Sequence, residues 1–299
     1  MIARRGIVFT WVLVVLAFSV ETVAGIPVET IDVGNLHVEH YGTRGSPIIL
    51  IPGLACGSWV WTETIAQLQS NHQLYAITLA GFDGRPAGGG EGFDSMVSSL
   101  RELIESKHIL QPILVGHSMG GTLAMLYAER YSDSIHGVVA VDGLPVFPGT
   151  ENLAEPERRS LADRVRSQLT TGTQQQFQDQ QLVYMQTIGV MSGEKARLLA
   201  ARSSRSDPVA TANFAAADMM LDLRANLHNI KVPVLEIVPY DAAEQAALGF
   251  DENGKVTYYR SLLNGVANLT LAPISPSRHF VMVDQPEAFL IVLNQFLGN

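Results

Sequence analysis

Short apolar runs that alternate with helix-length stretches constrain this chain more than any other feature. Pro47-Ile48-Ile49-Leu50-Ile51 and Pro112-Ile113-Leu114-Val115 are continuous apolar segments of strand length, bounded by Pro and Gly. Such runs suit strands buried on both faces. Leu36 to Tyr41, His72 to Leu79 and Ile135 to Val141 read as further strands. Helices are expected at Trp59 to Ser70, Asp94 to about Lys107 (with Asp94 as N-cap) and Thr122 to Tyr131. Strand and helix in alternation predict an α/β fold with a doubly wound, mostly parallel sheet and right-handed crossovers.

The alternation stops between the strand ending near Val141 and the strand starting near Val232. Residues 144–230 hold only polar and alanine-rich helical stretches, punctuated by Pro156, Gly172, Gly189 and Pro208. It resumes with Val232 to Val238, a helix around Val256 to Leu263, a strand at Asn268 to Ala272 and a helix opened by Pro286. The chain therefore divides into a core, first part, at 25–143, a helical cap at 144–230, and a core, second part, at 231–299. A cap inserted there sits over the C-terminal strand ends, where open α/β sheets bind ligands.

The first 24 residues have a different character. Arg4 and Arg5 precede an apolar run from Ile7 to Phe18, and Thr22-Val23-Ala24 offers small residues before Gly25. That layout predicts a cleavable signal peptide at 1–24 and a secreted or periplasmic protein. An uncleaved N-terminal anchor is the alternative, although the run is shorter than the roughly 20 residues a span needs. A formal net charge of −9 with scattered basic residues argues against nucleic-acid binding. Cys56 is the sole cysteine, so no intramolecular disulfide and no thiolate metal site can form. No two of the eight histidines have metal-ligand spacing, and no metal or cofactor is expected.

Gly116-His117-Ser118-Met119-Gly120-Gly121 fits G-x-S-x-G between a predicted strand and a predicted helix. A turn this sharp strains the serine and lifts its Oγ above the sheet edge. The free N–H of Met119 at the helix start can donate to an oxyanion. A second donor is expected from Leu54 in the turn Pro52 to Gly57. The plainer reading of both segments is an ordinary glycine-rich loop.

Pro52-Gly53-Leu54, Gly81-Phe82-Asp83-Gly84-Arg85-Pro86 and Gly116 to Gly121 follow one another in an order that resembles the α/β-hydrolase family, notably its capped, esterase-like members. The segment Ser277 to Phe289 is similar to that family's catalytic histidine loop and following helix. Pro52 and Arg278 depart from the family's usual histidine and glycine. The resemblance implies Ser118 as nucleophile and His279 as its base, with His117 structural and pointing away from the serine. The acid has two placements in such proteins. Asp241, after the strand following the cap, is favoured; Asp142, at the end of the strand preceding it, is the alternative. Asp142 also reads as a capping residue at a strand end, and Asp241 as a helix N-cap before Ala242-Ala243-Glu244.

These residues predict hydrolysis of a small-molecule ester or similar acyl compound through an acyl-enzyme. Acyl transfer, C–C bond hydrolysis and cofactor-free peroxidase chemistry share the same triad. A slow-turnover ligand-binding protein is the reading from another class. Pocket walls are expected from Phe177, Tyr184, Met185, Ile188, Met191, Phe214, Met219, Met220 and Leu221, or these side chains simply pack the cap. Trp59 and Trp61 carry the same two readings. Oligomeric state is not encoded in any of these features.

Overall fold

The computed structural model describes residues 25–88, 90, 92–246 and 249–298; the expected signal segment 1–24 lies outside them. Eight strands form one sheet: β1 (Glu29–Val33), β2 (Leu36–Tyr41), β3 (Pro47–Ile51), β4 (Gln73–Leu79), β5 (Ile113–His117), β6 (Gly137–Val141), β7 (Val234–Pro239) and β8 (Leu269–Ile274). Their order is β1-β2-β4-β3-β5-β6-β7-β8; β2 pairs antiparallel with both β1 and β4, and the remaining pairs are parallel.

The apolar runs are explained by a period of two. Ile49 and Ile51, Leu114, and Val138 and Ala140 point to one face, against α2 (Phe93–Ser106) and α3 (Met119–Tyr131). Ile48 and Leu50, Ile113 and Val115, and Val139 and Val141 point to the other face. There they meet α1 (Thr62–Leu68) and the C-terminal helix, through Ile65, Leu68, Phe289 and Leu293. Both faces are covered, so neither tolerates the polar alternation of a half-exposed sheet. Each such side chain contributes roughly 1.5–3 kcal/mol by leaving water.

Between β6 and β7 run α4 (Glu155–Thr170), α5 (Gln174–Tyr184), a π-helical turn Met185–Gly189, α6 (Gly193–Ser203) and α7 (Pro208–Met220). Pro and a capping Asp207, which accepts from Ala210 N–H at 2.8 Å, start α7. Ala162 of α4 packs on Ala216 and Met219 of α7. After β7 come α8 (Ala242–Gln245), α9 (Glu252–Leu262), α10 (Val281–Asp284) and α11 (Pro286–Leu297). Among the described residues no helix is long and apolar enough to cross a membrane.

Two local expectations need correction. β1 was not anticipated: Glu-Thr-Ile-Asp-Val buries only Ile31 and Val33, and its acids disguise an edge strand. Gly92, not Asp94, caps α2; Asp94 lies one residue inside the helix and pairs with Arg130 at 2.7 Å.

Candidate active site

β5 and β6 end side by side, with His117 opposite Val141. The next residues on each strand are Ser118 and Asp142. Ser118 N–H donates to Val141 O at 2.9 Å, and Asp142 N–H to Ile237 O at 3.0 Å, so both positions are pinned by the sheet. Both carry positive φ, +54° and +52°, a conformation that costs a non-glycine residue of order 1–3 kcal/mol. Here the close packing of the elbow imposes it. A Cβ on Gly116 would lie 2.1 Å from Gly120 O, and one on Gly120 2.5 Å from Ile51 O. The helix can therefore begin at Met119 only because both positions lack side chains. The Met119 N–H, at the first helical position, has no acceptor within the helix.

The turn carrying Leu54 abuts the serine. A Cβ on Gly53 would stand 3.1 Å from Ser118 Cβ and 2.9 Å from His117 Nδ1. Cys56 in the same turn is buried, and burial pushes its thiol pKa up.

His279 Nδ1 lies 2.5 Å from Asp142 Oδ2, with both side chains mostly buried. The other Asp142 oxygen accepts the hydroxyl of Tyr259 from α9. Burial alone would raise the Asp142 carboxyl. The His279 hydrogen bond and charge, with help from Lys255 and Tyr259, outweigh it and hold the pKa at about 2. Asp142 is thus a carboxylate at any working pH.

The preference for Asp241 as the imidazole's partner is corrected by this geometry. Asp241 follows β7 by two residues and caps α8, its Oδ1 accepting Glu244 N–H at 3.0 Å. The same oxygen accepts Arg278 Nε at 3.2 Å. Helix start and guanidinium together turn that carboxylate away from the histidine. Arg278, the departure from the usual glycine, also donates to Gln186 O (2.9 Å) and Val190 O (3.3 Å), tying the histidine loop to the π-turn. The backbone adds His279 N–H to Ile188 O at 3.2 Å and Phe280 N–H to Gly189 O at 3.0 Å.

His117 lies against the histidine loop: its Nε2 donates to His279 O at 3.1 Å. Burial, then the nearby His279, keep its pKa well below the usual range, so it is neutral. Glu236, fully buried inside β7, accepts Gly143 N–H at 3.2 Å beside Asp142. Burial, then the Asp142 charge, raise its pKa well above the usual carboxylate range.

Ser118, Asp142 and His279 border one cavity of about 320 Å³. Leu144, Val146, Phe147 and Phe250 give it apolar walls, and Asp218, Glu244, Gln245 and Lys255 add polar groups. Burial raises the Asp218 carboxyl to about 7. Of the cap side chains expected at the pocket, Tyr184 and Ile188 border it, Tyr184 standing edge-on to the His279 ring at 6.0 Å. Phe177, Met185, Phe214 and Met219 are buried packing, Met220 and Leu221 pack partly buried, and Met191 is exposed. Trp61 packs on Phe289 at 6.2 Å, and Trp59 lies under the Arg202 guanidinium, so neither lines the cavity. Tyr259, Lys255, Glu236 and the Arg278 clamp were not found from sequence. Glu236 did leave a signal, as a lone charge inside an apolar strand.

A sequence model described as the alpha/beta hydrolase family matches residues 48–291. Among curated proteins, a 2-succinyl-6-hydroxy-2,4-cyclohexadiene-1-carboxylate synthase from Shigella sonnei is 31% identical over 200 residues. That match spans 64% of this chain and 77% of the relative. Among solved structures, an enol-lactonase from Burkholderia xenovorans superimposes with a TM-score of 0.70 at 20% identity, covering 91% of this chain and all of that one. An esterase from Exiguobacterium antarcticum gives 0.71 at 17% identity, over 89% and 98%.

Proposed function

The chain belongs to the alpha/beta hydrolase family, and from that premise we propose that it is a serine hydrolase cleaving a small ester or lactone. The observation that carries this reading is the 2.5 Å contact of Asp142 with His279 Nδ1, in the cavity that Ser118 also borders. An ionised Asp142 keeps the proton on Nδ1, which leaves the Nε2 lone pair free to act as base. Nε2 takes the proton from Ser118 as Oγ attacks the carbonyl carbon, and the Leu54 and Met119 N–H groups receive the oxyanion. The imidazolium then protonates the departing alcohol. Water, deprotonated by His279, releases the acid and restores Ser118.

A panel of p-nitrophenyl esters of increasing acyl length tests this reading. Turnover is expected to peak at short chains, since about 320 Å³ lies at the small end of ligand pockets. A folded protein that turns over none of them contradicts it. The curated relatives are named synthases, and this favours one second reading, in which the same three residues form a product with no acyl-enzyme. Rapid-quench mass spectrometry separates the two, because only the hydrolase accumulates or passes through an acylated Ser118.

Export follows as a proposal from Arg4, Arg5 and the apolar run. N-terminal sequencing of the protein recovered outside the cytoplasm should begin near Gly25. Recovery of the intact Met1 form in the membrane fraction favours the anchor instead.

A further inference from the structure

Lys255, on α9, is only 7% exposed and borders the same cavity as Ser118 and His279. Burying an ammonium is costly unless an anion or several acceptors replace the water it loses. Its backbone N–H donates to Asp251 O at 3.0 Å, but among the described residues its ammonium makes no ion pair and no hydrogen bond. Its ammonium stands 5.8 Å from the centroid of the Tyr259 ring.

None of the acids around Lys255 makes an ion pair or hydrogen bond with its ammonium among the described residues. Asp142 gives one oxygen to His279 and the other to Tyr259. Glu236 accepts from Gly143, and burial raises its pKa well above the usual carboxylate range. Burial also raises Glu244, despite the opposing pull of Lys255. The cavity therefore presents a buried ammonium that feels the Asp142 carboxylate but has no hydrogen-bond acceptor of its own, a place that an entering acceptor can take.

We propose that Lys255 binds an anionic end of the substrate, and that this end is a carboxylate set apart from the bond Ser118 attacks. This rests on the serine-hydrolase reading and narrows its substrate class to small hemi-esters or lactones bearing a second acid group. A singly charged carboxylate balances Lys255 one for one. A dianionic phosphate would leave excess negative charge beside Asp142 and the titrating Asp218. The apolar walls suit a short hydrocarbon spacer between the two ends.

Two p-nitrophenyl esters of equal length test it: the mono-ester of glutarate, with a free carboxylate, and the ester of pentanoate, with a methyl in its place. Wild-type kcat/KM should favour the charged ester by about tenfold or more, as a charged hydrogen bond in a dry site gives. Lys255→Met should abolish that preference by slowing the charged ester at least about tenfold more than the neutral one, and Lys255→Arg should keep it. Equal rates on both esters in the wild type, or a preference for the neutral one, overturn the proposal even if Lys255→Met fails to fold. An equal loss on both esters in Lys255→Met also overturns it, because Lys255 would then act through Asp142. If wild type cleaves neither ester, the hydrolase reading fails, and calorimetry on the Ser118→Ala protein judges this inference separately. Monomethyl glutarate should bind more tightly than dimethyl glutarate, and the difference should vanish when Lys255→Met is added. Equal binding of the two, or none, refutes carboxylate recognition.

Discussion

Asp142→Asn is expected to lower kcat by about 10⁴-fold at saturating ester, whereas Asp241→Asn should cost less than about tenfold. Asparagine keeps the shape of Asp142 and can still accept from Tyr259. Its amide, however, favours the histidine tautomer with the proton on Nε2, which removes the base that Ser118 needs. Asparagine at position 241 still caps α8 through its side-chain oxygen. It loses the ion pair with Arg278, a pair whose side chains are 19% and 12% exposed. That loss should appear as about 1–3 kcal/mol of stability rather than in kcat, because Arg278 keeps Gln186 O and Val190 O as acceptors. Thermal denaturation beside steady-state kinetics separates the two effects. A large kcat loss in Asp241→Asn with Asp142→Asn near wild type would move the acid to the far side of the cap.

Ser118→Ala should remove about 10⁶-fold from kcat, the scale seen when a nucleophile of this kind is deleted. The variant should fold normally. The positive φ at 118 strains alanine no more than serine, since both carry one Cβ, and the elbow is held by backbone bonds. Gly121 N–H and Thr122 N–H both donate to Ser118 O, at 2.7 and 3.1 Å. Circular dichroism should therefore be unchanged. Activity within tenfold of wild type would show that another group attacks the substrate.

The parts of this protein legible in sequence are those set by local rules. A strand, a glycine-flanked serine and a helix occupy consecutive residues, so the elbow at 116–121 could be read directly. The parallel character of the central strands followed from apolar runs that bury both faces. The carboxylate partner of His279 was not legible, because Asp142 and Asp241 both follow strands and both suit capping roles. The choice between them is made over long separations. Tyr259 reaches Asp142 from 117 positions away, and Arg278 reaches Asp241 from 37. Lys255 was hidden for a similar reason: a lysine on an ordinary helix looks solvent-facing until the cap and β7 close around it. The helical run between the strands near Val141 and Val232 was visible, but not that its π-turn would receive the backbone of the histidine loop.

The central claim, that Ser118 is the nucleophile activated by His279 and Asp142, is tested most directly by peptide-mapped mass spectrometry after a fluorophosphonate probe. The predicted result is one adduct per chain, on the peptide containing Ser118. It should be absent from Ser118→Ala and formed far more slowly in Asp142→Asn. A folded wild-type protein that takes up no probe, or a Ser118→Ala protein labelled as fast as wild type, would contradict the account.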